Sequence, residues 1–292
     1  MENKLPKISV IIPVLNGAKT LNKCLVSVTN QDFDDYEIIL IDNGSTDNTK
    51  EIINQFLKDS HKIIYIFEPK RGRGQARNVG VAAARGDIVA MTDADCIVPF
   101  DWLRNITKPI IEDRALAVIG FEKEAACNYW SRLRQAEDWR FLKTKIEGDY
   151  VNHLDTKNFA IKAELLKKMG FDSQLAAYED WDLFIRLKKI GIKIMFLPEL
   201  LVEHHHDASA RELAITQFSR AQGVVFIMNK YRDDEQFHKL FKNDESASSI
   251  KNINFLFFIP WAIWQLVAHS EQAPYRIISD LAWKIGIIAA LF

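Results

Sequence analysis

Four short runs, Ile8 to Ile12, Glu37 to Ile41, Ile63 to Phe67 and Ile88 to Met91, recur along the first third of the chain. Each is rich in Ile and Val and is separated from the next by a longer amphipathic stretch. Such runs are the signature of parallel strands buried on both faces and joined by crossover helices. The first 95 residues therefore read as repeated βαβ units. Between the strands, Leu21, Leu25 and Val28 share one helical face, and Ile52, Ile53, Phe56 and Leu57 share another, with Ser45 or Thr46 available to cap the second helix. The segment after Gly74 carries Ala76, Ala82, Ala83 and Ala84, which predicts a helix packed closely on the sheet.

Composition narrows the function classes. Hydrophobic residues make up 48% of the 292, which excludes disorder as the main theme. With 38 Lys+Arg against 39 Asp+Glu the formal net charge is -1, so no global attraction to polyanions exists and no nucleic-acid partner is expected. Cys24, Cys96 and Cys127 are far apart and in no CxxC spacing, and read as free thiols in a reducing compartment. The start, MENKLPKISV, has no basic segment followed by a long apolar one, so a cytoplasmic location is expected.

Further along, residues 120 to 178 lose the alternation and mix aromatic with charged residues, reading as a less regular substrate subdomain. A helix follows from Trp181 with Gly191 as its stop, and Ile192 to Leu197 reads as a strand closed by Pro198. Two apolar stretches end the sequence, Phe255 to Ala268 and Leu281 to Phe292. Each is shorter than the roughly 20 residues a spanning helix needs. They read either as helices lying on a membrane surface or as helices packed on the rest of the protein or on a second subunit.

The carboxylates carry the chemical information. Asp42 follows the second predicted strand, and Asp93 with Asp95 follow the fourth, at the strand ends where open α/β sheets bind ligands. On an extended segment both side chains of Asp93-Ala94-Asp95 lie on one face and can hold a divalent cation that bridges to phosphate. Alone, a D-x-D is weak evidence, because turns after strands favour Asp. The segment KRGRGQARNVG, 70 to 80, adds Lys70, Arg71, Arg73 and Arg77 beside glycines, an arrangement suited to a diphosphate. Lys70 and Arg73 taken singly read as solvated, whereas Arg77 lies within the first turns of a helix. The spacing of Gly72, Gly74 and Gly80 is not the G-x-G-x-x-G of dinucleotide binding. His204 and His206 share a face of an extended segment, so either could offer an imidazole to a metal opposite Asp95; a surface His cluster is the alternative. Trp130, Trp139 and Trp181 read as core or as sugar-stacking faces, with Trp181 singled out by its place beside Glu179-Asp180.

Five segments taken together are more specific than any one. SVIIPVLNG (9 to 17), ILIDNGSTDNT (39 to 49), GQARNVGVAAARGDIVAMTDAD (74 to 95), NFAIKAELLKKMGFD (158 to 172) and YEDWDLFIRLKKIG (178 to 191) resemble, in order, the family 2 glycosyltransferases. The resemblance runs from about residue 8 to 206. It implies the GT-A fold, a Rossmann-like α/β arrangement with a mainly parallel central sheet and flanking helices, here followed by an apolar helical tail. Residues 1–230 would form the GT-A domain, with 1–98 its nucleotide-binding half and 99–230 its acceptor and catalytic half; 231–292 would be a helical extension, lying on the membrane or packed on the protein or a second subunit.

The resemblance also implies a nucleotide-diphospho-sugar donor, with a UDP-sugar expected, Mn²⁺ or Mg²⁺, and inversion at the anomeric carbon. Pro13 and Asn16 would line the nucleotide pocket and Asp42 would contact the base; Asn43 stands where family members often have a second Asp. Asp93 and Ala94 would approach the ribose, and Gly72 and Arg77 the sugar-diphosphate. Asp95 would bind the metal with His204 or His206, His204 ranked first. Asp180 would be the base that takes the acceptor hydroxyl proton, with Glu179 orienting it or binding an acceptor hydroxyl. The helix N-terminus is expected to keep Asp180 ionised. The acceptor implied is a hydroxyl of a glycan or lipid-linked molecule, in surface polysaccharide synthesis at the inner face of the cell membrane. A nucleotidyltransferase is the rival enzyme, but it calls for a Gly-rich loop directly after the first strand, where this chain has Pro13 to Gly17. A catalytically inactive sugar-nucleotide-binding subunit is the other rival, against which the intact set of Asp93, Asp95 and Asp180 speaks.

Overall fold

The four apolar runs become β1 (Ile8–Val14), β2 (Tyr36–Asp42), β3 (Ile63–Phe67) and β4 (Ile88–Met91), all parallel, in the spatial order β3-β2-β1-β4. This is a computed structural model, and it describes residues 7–125, 128–175, 177–205, 209–240 and 271–291. Every residue of β2 is buried and nearly every residue of β1, which explains why these runs do not alternate. The crossovers are α1 (Leu21–Thr29), α2 (Thr49–Asp59) and α3 (Arg73–Ala83). Leu21, Leu25 and Val28 of α1 enter the core beside Val10, Ile12 and Ile38. Neither Ser45 nor Thr46 caps α2, contrary to expectation. The helix begins later, after Asn48, and the Ser45 hydroxyl instead accepts a hydrogen bond from the Asn16 amide at 2.9 Å. The close approach expected of α3 is present at Gly80, where a Cβ would lie 2.6 Å from Ile11 Cγ2 and 2.8 Å from Ile41 Cδ1.

Past β4 the chain adds β5 (Cys96–Ile97), α4 (Trp102–Ile111), β6 (Ala117–Glu124), α5 (Tyr129–Lys143), β7 (Ile146–Glu147), β8 (Tyr150–Val151), a 3-10 turn (Thr156–Asn158), β9 (Phe159–Lys162), α6 (Ala163–Met169), α7 (Glu179–Lys189) and β10 (Ile194–His204). The stretch expected to be irregular, 120 to 178, thus contains one whole central strand, β9, and the end of another, β6. β9 lies antiparallel between β4 and β6, and β10 runs parallel to β6, completing the order β3-β2-β1-β4-β9-β6-β10-β8-β7. Pro198 does not close the last strand. β10 continues to His204, and its register against β6 shifts between Phe196 and Leu201, an irregularity that accommodates a residue with no N–H to give the ladder. Because β9 is antiparallel to both β4 and β6, the strands β1, β2, β4, β6 and β10 all end at the same edge of the sheet. Asp42, the D-x-D, Glu122, Glu124 and His204 therefore converge there.

Two compact units divide the chain, Met1–Ala125 with Trp139–His206, and Ala126–Asp138 with Asp207–Phe292. The sheet belongs to the first. In the second, α8 (Ala210–Lys230), α9 (Glu235–Leu240) and α10 (Ala273–Leu291) follow one another. Ile287 of α10 packs against Ala221 and Val225 of α8, flanked by Trp283 and Ala290. At Gly286 a Cβ would lie 2.6 Å from the Phe218 carbonyl, so the two helices approach as closely as they do because a glycine stands there. This packing occupies one side of the second apolar stretch and leaves Leu281 and Ile285 exposed. The first stretch, Phe255 to Ala268, lies outside the described residues, as do Cys127 and His206. Among the described residues no helix is long and apolar enough to cross a membrane.

Candidate active site

The loops after β1 and β2 are tied to each other. Asn16, in the left-handed region at φ 54°, accepts from the Thr46 amide through Oδ1 at 2.8 Å, and the Gly17 amide donates to Thr49 Oγ1 at 2.8 Å. A non-glycine residue tolerates that backbone when, as here, it is an Asn with a local hydrogen bond. Pro13 is half-buried at the end of β1. Asp42 is buried, its Oδ1 accepting from the Ser45 amide (2.8 Å) and its Oδ2 facing the Tyr65 hydroxyl (3.4 Å). Asn43 uses its whole amide on the next loop, donating to the carbonyls of Glu68 (3.0 Å) and Lys70 (2.8 Å) and accepting from the Gly72 amide (2.9 Å). A second Asp could not donate those two bonds. Gly72, at φ 141°, then turns the chain into α3.

The D-x-D is not extended. The Cys96 amide donates to the Asp93 carbonyl at 3.0 Å, so Asp93 to Cys96 form a turn that sends the two carboxylates to different partners, correcting the one-face expectation. Ala94 is buried between them, facing Gly17. Asp93 Oδ1 accepts from Arg77 Nη2 at 3.1 Å, and Arg77 Nη1 makes a short bond to Glu179 Oε1. Arg77 is only 4% exposed, so its guanidinium joins the D-x-D to the start of α7 rather than offering an open diphosphate contact. Lys70, Arg71 and Arg73 are the exposed cations of that loop, with Arg71 Nη2 donating to the Gly44 carbonyl at 3.0 Å. Burial opposes the charge on Arg77, but Asp93, Glu179 and Asp180 outweigh it and raise its pKa.

At α7, Tyr178 adopts the left-handed region (φ 67°) and delivers Glu179 and Asp180 to the first turn. Asp180 Oδ1 accepts from the Trp181 amide at 2.8 Å. Contrary to the expectation from sequence, the helix N-terminus does not keep Asp180 fully ionised. Burial, and then the carboxylates of Glu179 and Asp155, push its pKa up to about 7, against the smaller opposing effects of Arg77 and the Trp181 amide. Trp181 is 7% exposed and meets Tyr178 edge-on, so it is core rather than an open stacking face.

His204 closes the site. Its Nε2 lies 3.2 Å from Asp95 Oδ2, and its Nδ1 lies 3.1 Å from Glu122 Oε2 and 3.9 Å from Glu124 Oε1. The His205 amide donates to the Asp95 carbonyl at 2.7 Å, fixing the end of β10 against the turn, and the His205 ring turns to Glu203 (2.7 Å). Burial disfavours an imidazolium at His204, yet the bonds to Asp95 and Glu122 hold its pKa up at about 10. Burial would likewise raise Asp95, but His204 and Lys157 bring it below the usual carboxylate range. The donors of Asp95 and His204, with Cys96 Sγ, lie within 4.8 Å of one another, and a carboxylate beside an imidazole suits a divalent cation.

The sequence reading did not find Glu122, Asp155 or Lys157. Lys157 Nζ bridges Glu122 Oε2 (2.8 Å) and Asp155 Oδ2 (2.9 Å), and it draws both carboxyls down against the effect of burial. The available signal was the alternation Glu122-Lys123-Glu124 at a strand end, which places two carboxylates on one face.

Comparison with known proteins gives this geometry a family. The model of glycosyl transferase family 2 matches residues 9–170, more than half of the chain. Glycosyltransferase AglE of Haloferax volcanii is 29% identical over 285 residues, covering 96% of this chain and 87% of that one. Hyaluronan synthase of Pasteurella multocida is 27% identical over 258 residues, 86% of this chain, and this chain spans only 26% of that relative's length. Among solved structures, the mannosyltransferase PcManGT from Pyrobaculum calidifontis, in complex with GDP-Man and Mn²⁺, superposes with a TM-score of 0.72 at 18% identity, over 99% of this chain and 88% of that one. TarS of S. aureus in complex with UDP-GlcNAc does so at 0.60 and 16%, over 97% and 91%. The mixed sheet with flanking helices is the GT-A fold of these neighbours.

Proposed function

The chain belongs to the family 2 glycosyltransferases, and on that premise we propose that it moves one sugar from a nucleotide-diphospho-sugar to an acceptor hydroxyl with inversion at the anomeric carbon. The observation that carries this reading is the pairing, at one sheet edge, of Asp95 with His204 at 3.2 Å and, joined to the same turn through Arg77, a carboxyl at Asp180 with its pKa near 7. An inverting transfer needs one group to take the acceptor proton as the oxygen attacks, and a base works best when its pKa lies near the working pH. Asp180 meets that requirement. Glu179, held by Arg77, fixes the turn from which Asp180 projects.

Asp95 and His204 are the residues that would hold Mn²⁺ or Mg²⁺, with His206 a further candidate outside the described residues. A cation there would neutralise charge on the departing diphosphate. Pro13, Asn16 and Asp42 are assigned to the nucleotide, a UDP-sugar being our expectation. Asp93 and Ala94 are assigned to its ribose and Gly72 to its diphosphate side, while Asn43 and Arg77 hold the loops that shape the pocket. The functional division then places donor residues within 1–98, base and metal residues within 99–230, and a helical extension at 231–292. A glycan or lipid-linked acceptor at the inner face of the cell membrane, in surface polysaccharide synthesis, completes the proposal; it accords with similarity to polysaccharide synthases.

The test is a thermal-shift panel of UDP, GDP, dTDP and CMP, each with and without Mn²⁺, on the parent and on Asp95→Ala. One nucleoside diphosphate is expected to raise the melting temperature only with metal, and Asp95→Ala is expected to lose that rise. No stabilisation by any nucleotide at saturation would overturn the donor assignment.

A further inference from the structure

Behind the proposed metal ligands lies a buried layer of charge that the transfer mechanism does not use. Glu122 and Glu124 alternate along β6 and so point to the same side of the sheet, and the parallel register sets Val202 beside Glu122 and His204 beside Glu124. Strand pairing alone would give His204 to Glu124. The ring instead stands closer to Glu122, with Nδ1 3.1 Å from Glu122 Oε2 against 3.9 Å from Glu124 Oε1.

What selects Glu122 is Lys157. Its Nζ sits 2.8 Å from Glu122 Oε2 and 2.9 Å from Asp155 Oδ2, and Asp155 also accepts from the Lys157 amide at 3.0 Å, so the lysine is fixed at both ends of its own residue. Glu122 and Lys157 are both largely shielded from solvent. With Nδ1 at ion-pair distance from a clamped carboxylate, Nε2 is the ring nitrogen that faces Asp95, at 3.2 Å. Ligating imidazoles need such a partner, which fixes the tautomer and the ring orientation and makes the free nitrogen a better donor.

We propose that Glu122, clamped by Lys157, is a positioning residue that holds the His204 ring with Nδ1–H toward itself and Nε2 presented to the cation shared with Asp95. The inference rests on the metal reading given under Proposed function. It extends that reading to a carboxylate that stands beside the proposed ligand rather than among the ligands.

The experiment uses the full chain and Mn²⁺ alone, with free Mn²⁺ followed by electron paramagnetic resonance, on the parent, Asp95→Ala, Glu122→Leu and Glu122→Gln. Glu122→Leu is expected to weaken Mn²⁺ binding by roughly 10–100-fold, the usual effect of removing an imidazole's outer partner. Glu122→Gln keeps an acceptor for Nδ1–H in a side chain of the same shape, and is expected to lose less. It also keeps the test open should the leucine variant fail to fold. A second readout, the ring ¹⁵N resonances of His204 with and without Mg²⁺, is expected to show a Mg²⁺-dependent shift at Nε2 in the parent that is lost in Glu122→Leu. A purely structural role would lower the melting temperature and leave metal affinity alone, so folded variants that bind Mn²⁺ within about twofold of the parent overturn the proposal. A parent with no saturable site that Asp95→Ala removes overturns the metal reading itself, a result distinguishable from the first.

Discussion

Asp95 and Asp180 are carboxylates of one site, and their surroundings drive them apart. Burial raises both. Asp95 then faces His204 and the charge of Lys157 and ends below the ordinary range, whereas Asp180 faces Glu179 and Asp155 and ends near 7, with Arg77 too weak to reverse it. The difference teaches that the sign of the neighbouring charge, more than depth, suits the two to the different tasks proposed for them: an ionised carboxylate can ligate a cation, and one that titrates near neutrality can accept a proton. Exchanging those neighbours should therefore exchange the roles.

The largest effect is expected from Asp180→Asn, which keeps the shape of the side chain and removes its ability to accept a proton. Sugar transfer should fall by about 10²–10⁴-fold, the usual contribution of a positioned base. Nucleotide-dependent thermal stabilisation should persist. Measured transfer at the parent rate would return Asp180 to the status of a helix-start residue and leave Asp95 without a counterpart.

Next in size is the connection between the two carboxylates. Arg77→Met removes the cation that joins Asp93 to Glu179 and leaves Glu179 buried without it. Removing one partner of a buried ion pair costs about 3–5 kcal/mol, so a clear fall in the denaturation midpoint is expected. A variant as stable as the parent would mean that the strut is dispensable and that the two sides are held independently.

The unequal legibility of these parts has a physical basis. β1 to β4 were plain because strands buried on both faces leave unbroken apolar runs, and the carboxylates at their ends followed from strand direction alone. The D-x-D stands out in the sequence but its geometry does not, since the bond from the Cys96 amide to the Asp93 carbonyl makes a turn that no period of hydrophobicity reports. β9 was missed because Phe159–Lys162 is four residues long and ends in a lysine, too short to separate from a loop. Arg77 read as a diphosphate contact because its partner Glu179 is 102 residues away, and Glu122 read as nothing at all, since a charge at a strand end is usually a solvated one. Contacts of that range belong to the fold, and only the assembled sheet edge reveals them.

The smallest effect is the sharpest test of the comparison, because it moves Asp180 without touching it. If Asp180 is the base, its deprotonated form is the active one, so the transfer rate should rise with pH through about 7 and level off above. Asp155 is one of the carboxylates that hold that pKa up, and Asp155→Asn removes a negative charge while leaving an amide of the same shape. Loss of that negative charge favours the ionised form of Asp180, so the rising limb should move to lower pH. Arg77→Met acts in the opposite sense, since it removes a charge that lowers Asp180, and its limb should move to higher pH. Opposite displacements in two variants, neither of which alters Asp180 or Asp95, would tie the acid limb to this carboxyl. A limb that stays in place in both would assign it to another group and undo the argument that neighbouring charge divides ligand from base.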